Sequence, residues 1–162
     1  MSHQNQESVE VILSMFKDNW PEIESEISPA IFRIVRVYQD LSQQLESSSE
    51  AQGLQRADFG VLSALRRSPK PYILTPTEIS HSLLFSSGGL TKVLYRLEKL
   101  EYIQRLTNEV DKRSKLVQLT DSGKVLVERL LQQQLSYEQH YLSPLSKQEQ
   151  QQLDGLLVKL IK

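Results

Sequence analysis

A helix start is written into Thr75, Pro76, Thr77 and Glu78. A capping threonine, a proline in the first turn and a glutamate three residues on form a capping box, in which each side chain satisfies a free backbone N–H of the other. The apolar residues that follow, Ile79, Leu83 and Leu84, reach only to about Phe85, so this helix is short. Ser86 and Ser87 offer a second cap, and a second helix is expected from about Ser86 to Leu100. Two short strands around a charged tip then complete the run to Gly123.

On a wheel of ~100° per residue, Leu90, Val93, Leu94, Leu97 and Leu100 share an arc of roughly 120°, the expected buried face of the second helix. Gly88, Thr91, Lys92, Tyr95, Arg96 and Lys99 take the remaining circumference, a cationic, hydroxylated and aromatic set that suits duplex DNA. Gly88 and Gly89 each cost up to about 1 kcal/mol relative to alanine inside a helix. At a first turn they let backbone N–H groups approach a phosphate closely. Ile103 to Thr107 and Lys115 to Leu119 read as the two strands of a hairpin, with Asp111, Lys112 and Arg113 at its tip. There the aspartate can orient the arginine toward a groove or a phosphate. A plain charged turn has the same composition; it is the ordered run of helix, helix and basic hairpin that favours DNA.

These residues resemble a known family. SSGGLTKVLYRLEKLEYIQR followed by DKRSKLVQLTDSG is similar to the MarR family of winged-helix transcription regulators, and DFGVLSALRRS ahead of LTPTEIS resembles the helix before the reader in that family. The likeness covers the chain from about Trp20 onward. It implies a mostly α fold, a winged helix-turn-helix with long N- and C-terminal dimerisation helices and a small β-hairpin wing. It also implies a homodimer, a recognition helix from about Ser86 to Leu100, a wing at Asp111 to Arg113, and an effector cleft between the DNA-binding and dimerisation lobes. On this reading residues 1–162 form one domain, with N-terminal dimerisation helices in 1–52, the DNA-binding lobe in 53–120 and C-terminal dimerisation helices in 121–162. Ser86, Ser87, Gly88, Thr91, Lys92, Tyr95, Arg96, Lys99, Asp111, Lys112 and Arg113 are the expected DNA contacts.

A net charge of −1 is an average over two unlike parts. From Gly53 to Lys124 there are 12 Lys and Arg against 7 Asp and Glu, while the remainder has 7 against 13, so the expected reader is basic and its flanks acidic. Phosphate contacts from the basic part should weaken with salt. At 162 residues and 39% hydrophobic content the chain can enclose one sizeable core. It has no apolar run of membrane-spanning length and no secretory leader pattern, so a cytoplasmic protein without membrane association is expected. The absence of cysteine excludes disulfides and thiol-based sensing.

Both ends carry helical stripes. Ile23, Ile27, Ile31, Ile34, Tyr38, Leu41 and Leu45 step by fours and threes; Pro29 marks either the helix start or a bend. Val125, Leu126, Leu130, Leu131 and Leu135 mark a helix capped at Thr120 and reaching about Tyr141. After Pro144, Ser146 with Glu149 forms another capping box, ahead of Leu153, Leu156, Leu157, Leu160 and Ile161. Packing within one subunit would need the same periodicity; the family resemblance implies that these helices interlock between two.

Val9, Ile12, Leu13, Phe16 and Trp20 suggest an additional N-terminal helix, which resembles the urate-responsive branch of the family. That branch's pattern has an aspartate where this chain has Gly60 and an arginine where it has Val93, with matches at Trp20 and Arg105. Urate is therefore expected to bind weakly or not at all, because its polar edges would lose hydration without replacement partners. Trp20, Tyr38, Phe59, Tyr72 and Arg105 are candidates to line a cleft for a small aromatic or anionic effector, although aromatics at such spacings also serve as plain packing. His3, His81 and His140 are isolated, so no metal or cofactor is expected. No nucleophile with its base, phosphate loop or carboxylate pair indicates an enzyme. The rival reading is a winged helix that binds a protein instead of DNA; the cations on the reader face weigh against it.

Overall fold

The computed structural model describes residues 7–83, 89–107 and 115–161, and the chain divides into two compact units, Met1–Gln43 and Gln44–Lys162. The division falls within a helix.

In the first unit, α1 (Val9–Asn19) starts at Ser8, whose Oγ accepts the Val11 N–H at 3.2 Å. Phe16 packs against Trp20 and, edge-on, against Phe32, with ring centres 6.4 and 6.0 Å apart. A 3-10 helix over Pro21–Glu26 leads to α2 (Pro29–Glu50), which runs on into the second unit. Pro29 is thus the first residue of α2 rather than a bend inside it, a position where its missing N–H has no helical partner to lose.

The second unit contains α3 (Arg56–Arg66), β1 (Ile73–Leu74), α4 (Pro76–Ser82), α5 (Leu90–Lys99), β2 (Ile103–Thr107), β3 (Lys115–Leu119), α6 (Asp121–Tyr141) and α7 (Lys147–Leu160). The sheet is antiparallel in the order β1-β3-β2, with Ile73 opposite Gln118 and Ile103 opposite Leu119. The hairpin strands lie where the sequence puts them; β1, only two residues long, has no periodicity to announce it. Its pairing with β3 ties the start of α4 to the hairpin. The capping box is as expected: Thr75 Oγ1 accepts the Glu78 N–H at 3.2 Å and Glu78 Oε2 accepts the Thr75 N–H at 2.7 Å.

Leu54, Leu62 and Leu65, Ile79, Leu97, Ile103, Val117, Val127 and Leu130 form the centre of the core. α3 packs on both α5 and α6, so the first half of α6 belongs to this core as fully as the winged helix does. A side chain at Gly123 would collide with the Tyr102 carbonyl oxygen, so only glycine lets α6 start this close to the turn between α5 and β2. α7 packs otherwise: none of its described side chains is buried.

α5 departs from expectation at both ends. Its N-cap is Gly89, at φ 92° in the left-handed region, so α5 as described starts at Leu90. Leu100 terminates it and is exposed instead of buried. Ser86, Ser87 and Gly88, with Asp111, Lys112 and Arg113 of the expected wing tip, lie outside the described residues.

Candidate nucleic-acid interface

α5 buries Val93, Leu94 and Leu97 against the core, and this decides which residues face out. Thr91, Lys92, Tyr95 and Lys99 are all exposed and share an arc of about 100° opposite the buried stripe. Tyr95 is 67% exposed, unusual for an aromatic side chain on a helix whose other face is wholly covered. The surface therefore offers two ammonium groups, two hydroxyls and an aromatic ring from one rigid element, a combination fit for phosphates and base edges.

Arg96 needs a correction. Instead of pointing to solvent with its neighbours, it donates from Nε to both carboxylate oxygens of Asp58, at 3.1 and 2.9 Å, and from Nη2 to Oδ1 at 2.7 Å. Asp58 is 0% exposed, and its Oδ2 also accepts the Gln55 N–H at 2.8 Å, closing a capping box at the start of α3. The carboxylate draws the arginine inward because a buried charge without a partner is strongly unfavourable. Asp58 is the residue the sequence reading missed. Its local role as a helix-start carboxylate was legible, but the partner 38 positions away was not.

The far end of α5 is fastened too. Glu101 takes φ 59°, and its carbonyl oxygen accepts hydrogen bonds from Thr120 Oγ1 at 2.8 Å and Ser122 Oγ at 2.9 Å. The same Thr120 Oγ1 accepts the Gly123 N–H, so the end of α5 and the start of α6 share one cluster of hydrogen bonds. Arg105 on β2 pairs with Glu98 of α5 at 3.1 Å, another contact that holds the helix to the sheet.

The five candidate effector residues are divided between the two units. Trp20 and Tyr38 belong to the first unit, and both are exposed. In the second unit Phe59 is 8% exposed and part of the core, so it supplies packing rather than a cleft wall. Tyr72 sits at the core edge at φ 64°, with the Arg66 guanidinium 5.0 Å from its ring centre. Arg66 also donates from Nε to Glu128 of α6 at 2.6 Å, and that bond raises its already high pKa. Arg105 is taken up by Glu98.

The MarR family model matches residues 52–114, the segment from the approach to α3 through the expected wing. Over 151 residues the chain is 30% identical to the HTH-type transcriptional regulator PecS of Dickeya dadantii, covering 93% of this chain and 91% of that protein. A crystal structure of a MarR C80S mutant from E. coli complexed with operator DNA is 30% identical, with a TM-score of 0.70 over 85% of this chain and 96% of that one. The S. aureus MepR–DNA complex is 25% identical and also superposes with a TM-score of 0.70, over 83% of this chain and 96% of that one. An exposed polar and cationic face on a core-fastened α5, a β2–β3 hairpin behind it and relatives matched over nearly the full chain lead to one conclusion: this protein belongs to the MarR family of winged-helix transcriptional regulators.

Proposed function

We propose that the protein is a homodimeric, ligand-responsive repressor that binds a palindromic operator through α5 and the β2–β3 wing. The observation that carries this is the outward arc of Thr91, Lys92, Tyr95 and Lys99 on a helix fastened at its middle and its end. Lys92 and Lys99 take phosphates; Thr91 and Tyr95 meet base edges and the thymine methyl in the major groove. Ser86, Ser87, Gly88, Asp111, Lys112 and Arg113 remain DNA contacts in this reading.

Dimerisation is supported by α7, whose Leu153, Leu156 and Leu160 are exposed, together with Val125, Leu131 and Leu135 of α6. Two-fold symmetry then sets the half-sites about 10 base pairs apart, centre to centre, or a multiple of that. An effector acts by preferring the spacing of the two readers that does not fit DNA. A small aromatic or anionic effector belongs to this reading, but urate does not. A Cβ at Gly60 would sit 3.3 Å from a methyl of Leu83, and Val93 is buried, so both positions where the urate-responsive pattern has charge are packed with apolar groups. A micromolar dissociation constant for urate by calorimetry would overturn that part. Among the described residues no helix is long and apolar enough to cross a membrane, and a cytoplasmic location fits this role.

Selection of bound fragments from the source genome by the purified protein tests the main reading. An enriched palindrome, bound with steep salt dependence in fluorescence anisotropy, is the expected result. No enrichment, with salt-insensitive capture of a protein partner, would replace it.

A further inference from the structure

We propose that Asp58 and Arg96 are a positioning pair: they set the rotation of α5 about its own axis, and Arg96 acts through Asp58 rather than by reading bases. The inference rests on the reading of α5 as the DNA-facing helix. Three features of the pair carry it. Asp58 is completely buried, so it cannot exchange its partner for water. Its carboxylate is fixed to α3 by the Gln55 N–H at 2.8 Å, which makes it a rigid anchor. Arg96 grips that anchor with Nε and Nη2 together, a planar two-point contact that fixes direction as well as distance.

The placement along α5 makes this grip matter. Arg96 follows Tyr95 directly and stands one turn after Lys92, both on the outward arc. Rotating a helix by about 10° moves a side-chain tip roughly 6 Å from its axis by about 1 Å. That displacement is enough to spoil a hydrogen bond to a base edge, while a mobile lysine can still follow a phosphate. The pair is therefore expected to govern discrimination between sequences more than adhesion to DNA as such.

The opposite assignment, in which Arg96 leaves Asp58 to contact DNA, predicts an effect of opposite sign. Asp58→Asn removes the competitor for the guanidinium without touching the outward face. If Arg96 reads DNA, this variant binds more tightly; if the pair positions α5, it binds the specific site more weakly.

The experiment uses the full chain, with the duplex it enriches from a random-sequence pool as the specific probe and a scrambled duplex as reference. Anisotropy is read at two salt concentrations for Asp58→Asn, Arg96→Gln and the double variant, at a temperature where circular dichroism shows each to be folded. Each single variant is expected to lose about tenfold in affinity for the selected duplex. Affinity for the scrambled duplex and the salt slope should stay near those of the parent, and the double variant should be no worse than the singles. Arg96→Lys keeps the charge beside Asp58 but not the two-point grip, and it decides the matter if Asp58→Asn fails to fold; it too should lose specific affinity alone. Tighter binding by Asp58→Asn, a slope reduced by about one unit in Arg96→Gln, or unchanged specific affinity in folded variants would each overturn the inference. If the parent chain enriches no duplex, it is the DNA-binding reading that fails instead.

Discussion

α5 and α7 are both amphipathic helices of the same unit, yet they use their apolar faces differently. α5 has 10 residues, too few to persist alone, and covers Val93, Leu94 and Leu97 with its own chain. α7 has 14 residues and a sound capping box at Ser146, but leaves Leu156 59% exposed and buries nothing. One helix is completed by its own fold. The other carries an apolar stripe that the described residues leave exposed. The difference separates the helix that the proposed reader needs to be rigid from the helix that the proposed dimer would use.

Leu97→Ala should break the α5 side of this contrast most severely. Leu97 is 0% exposed, so loss of its side chain leaves a cavity and is expected to lower stability by about 2–5 kcal/mol. Denaturant titration should show that loss at every protein concentration, since the contacts lie within one chain. A loss that disappears at high concentration would place α5 in the subunit interface instead.

The converse test is Leu156→Glu with Leu160→Glu. These exposed positions should leave the fold of one chain intact while weakening dimer formation about 100-fold or more. Sedimentation velocity across a dilution series reads this directly. A dimer that persists unchanged would remove α7 from the proposed interface.

Lys92→Ala sharpens the comparison on the reader face with a smaller effect. Lys92 is exposed, so stability should hold, while the slope of log affinity against log salt falls by about one unit. An unaltered slope would mean that this ammonium group makes no phosphate contact.

The smallest effect concerns the caps of α4 and α7. Hydrogen bonds from Ser146, side chain first and then backbone, hold the Glu149 carboxyl below the usual glutamate range. Those from Thr75, backbone first, do the same for Glu78. Because both folded values are depressed, the stabilisation is complete above the unfolded glutamate value and is lost as pH falls through the folded one. NMR titration should find both carboxyl midpoints below that of an unfolded glutamate. Glu149→Gln should abolish the acid-dependent fraying of α7 and leave that of α4 unchanged; a Glu149 midpoint at the ordinary value would contradict the assignment.

What the sequence determined by itself is everything that depends on neighbours a few residues apart. Thr75 with Glu78, Ser146 with Glu149, the Thr120 cap and the two strands β2 and β3 are local agreements between side chain and backbone, and all appear where expected. The buried stripe of α5 is also periodic, and was legible apart from Leu100, which falls where the helix has already ended. Tertiary structure decided the features that join distant segments: the pairing of β1 with β3, the burial of Phe59, and the choice of Asp58 rather than solvent as the partner of Arg96. An arginine on a polar helix flank looks the same in sequence whether it faces water or a carboxylate buried 38 residues earlier in the chain. Only the packing of α3 against α5 creates the dry site in which that carboxylate must be paired, and so fixes the direction in which the arginine turns.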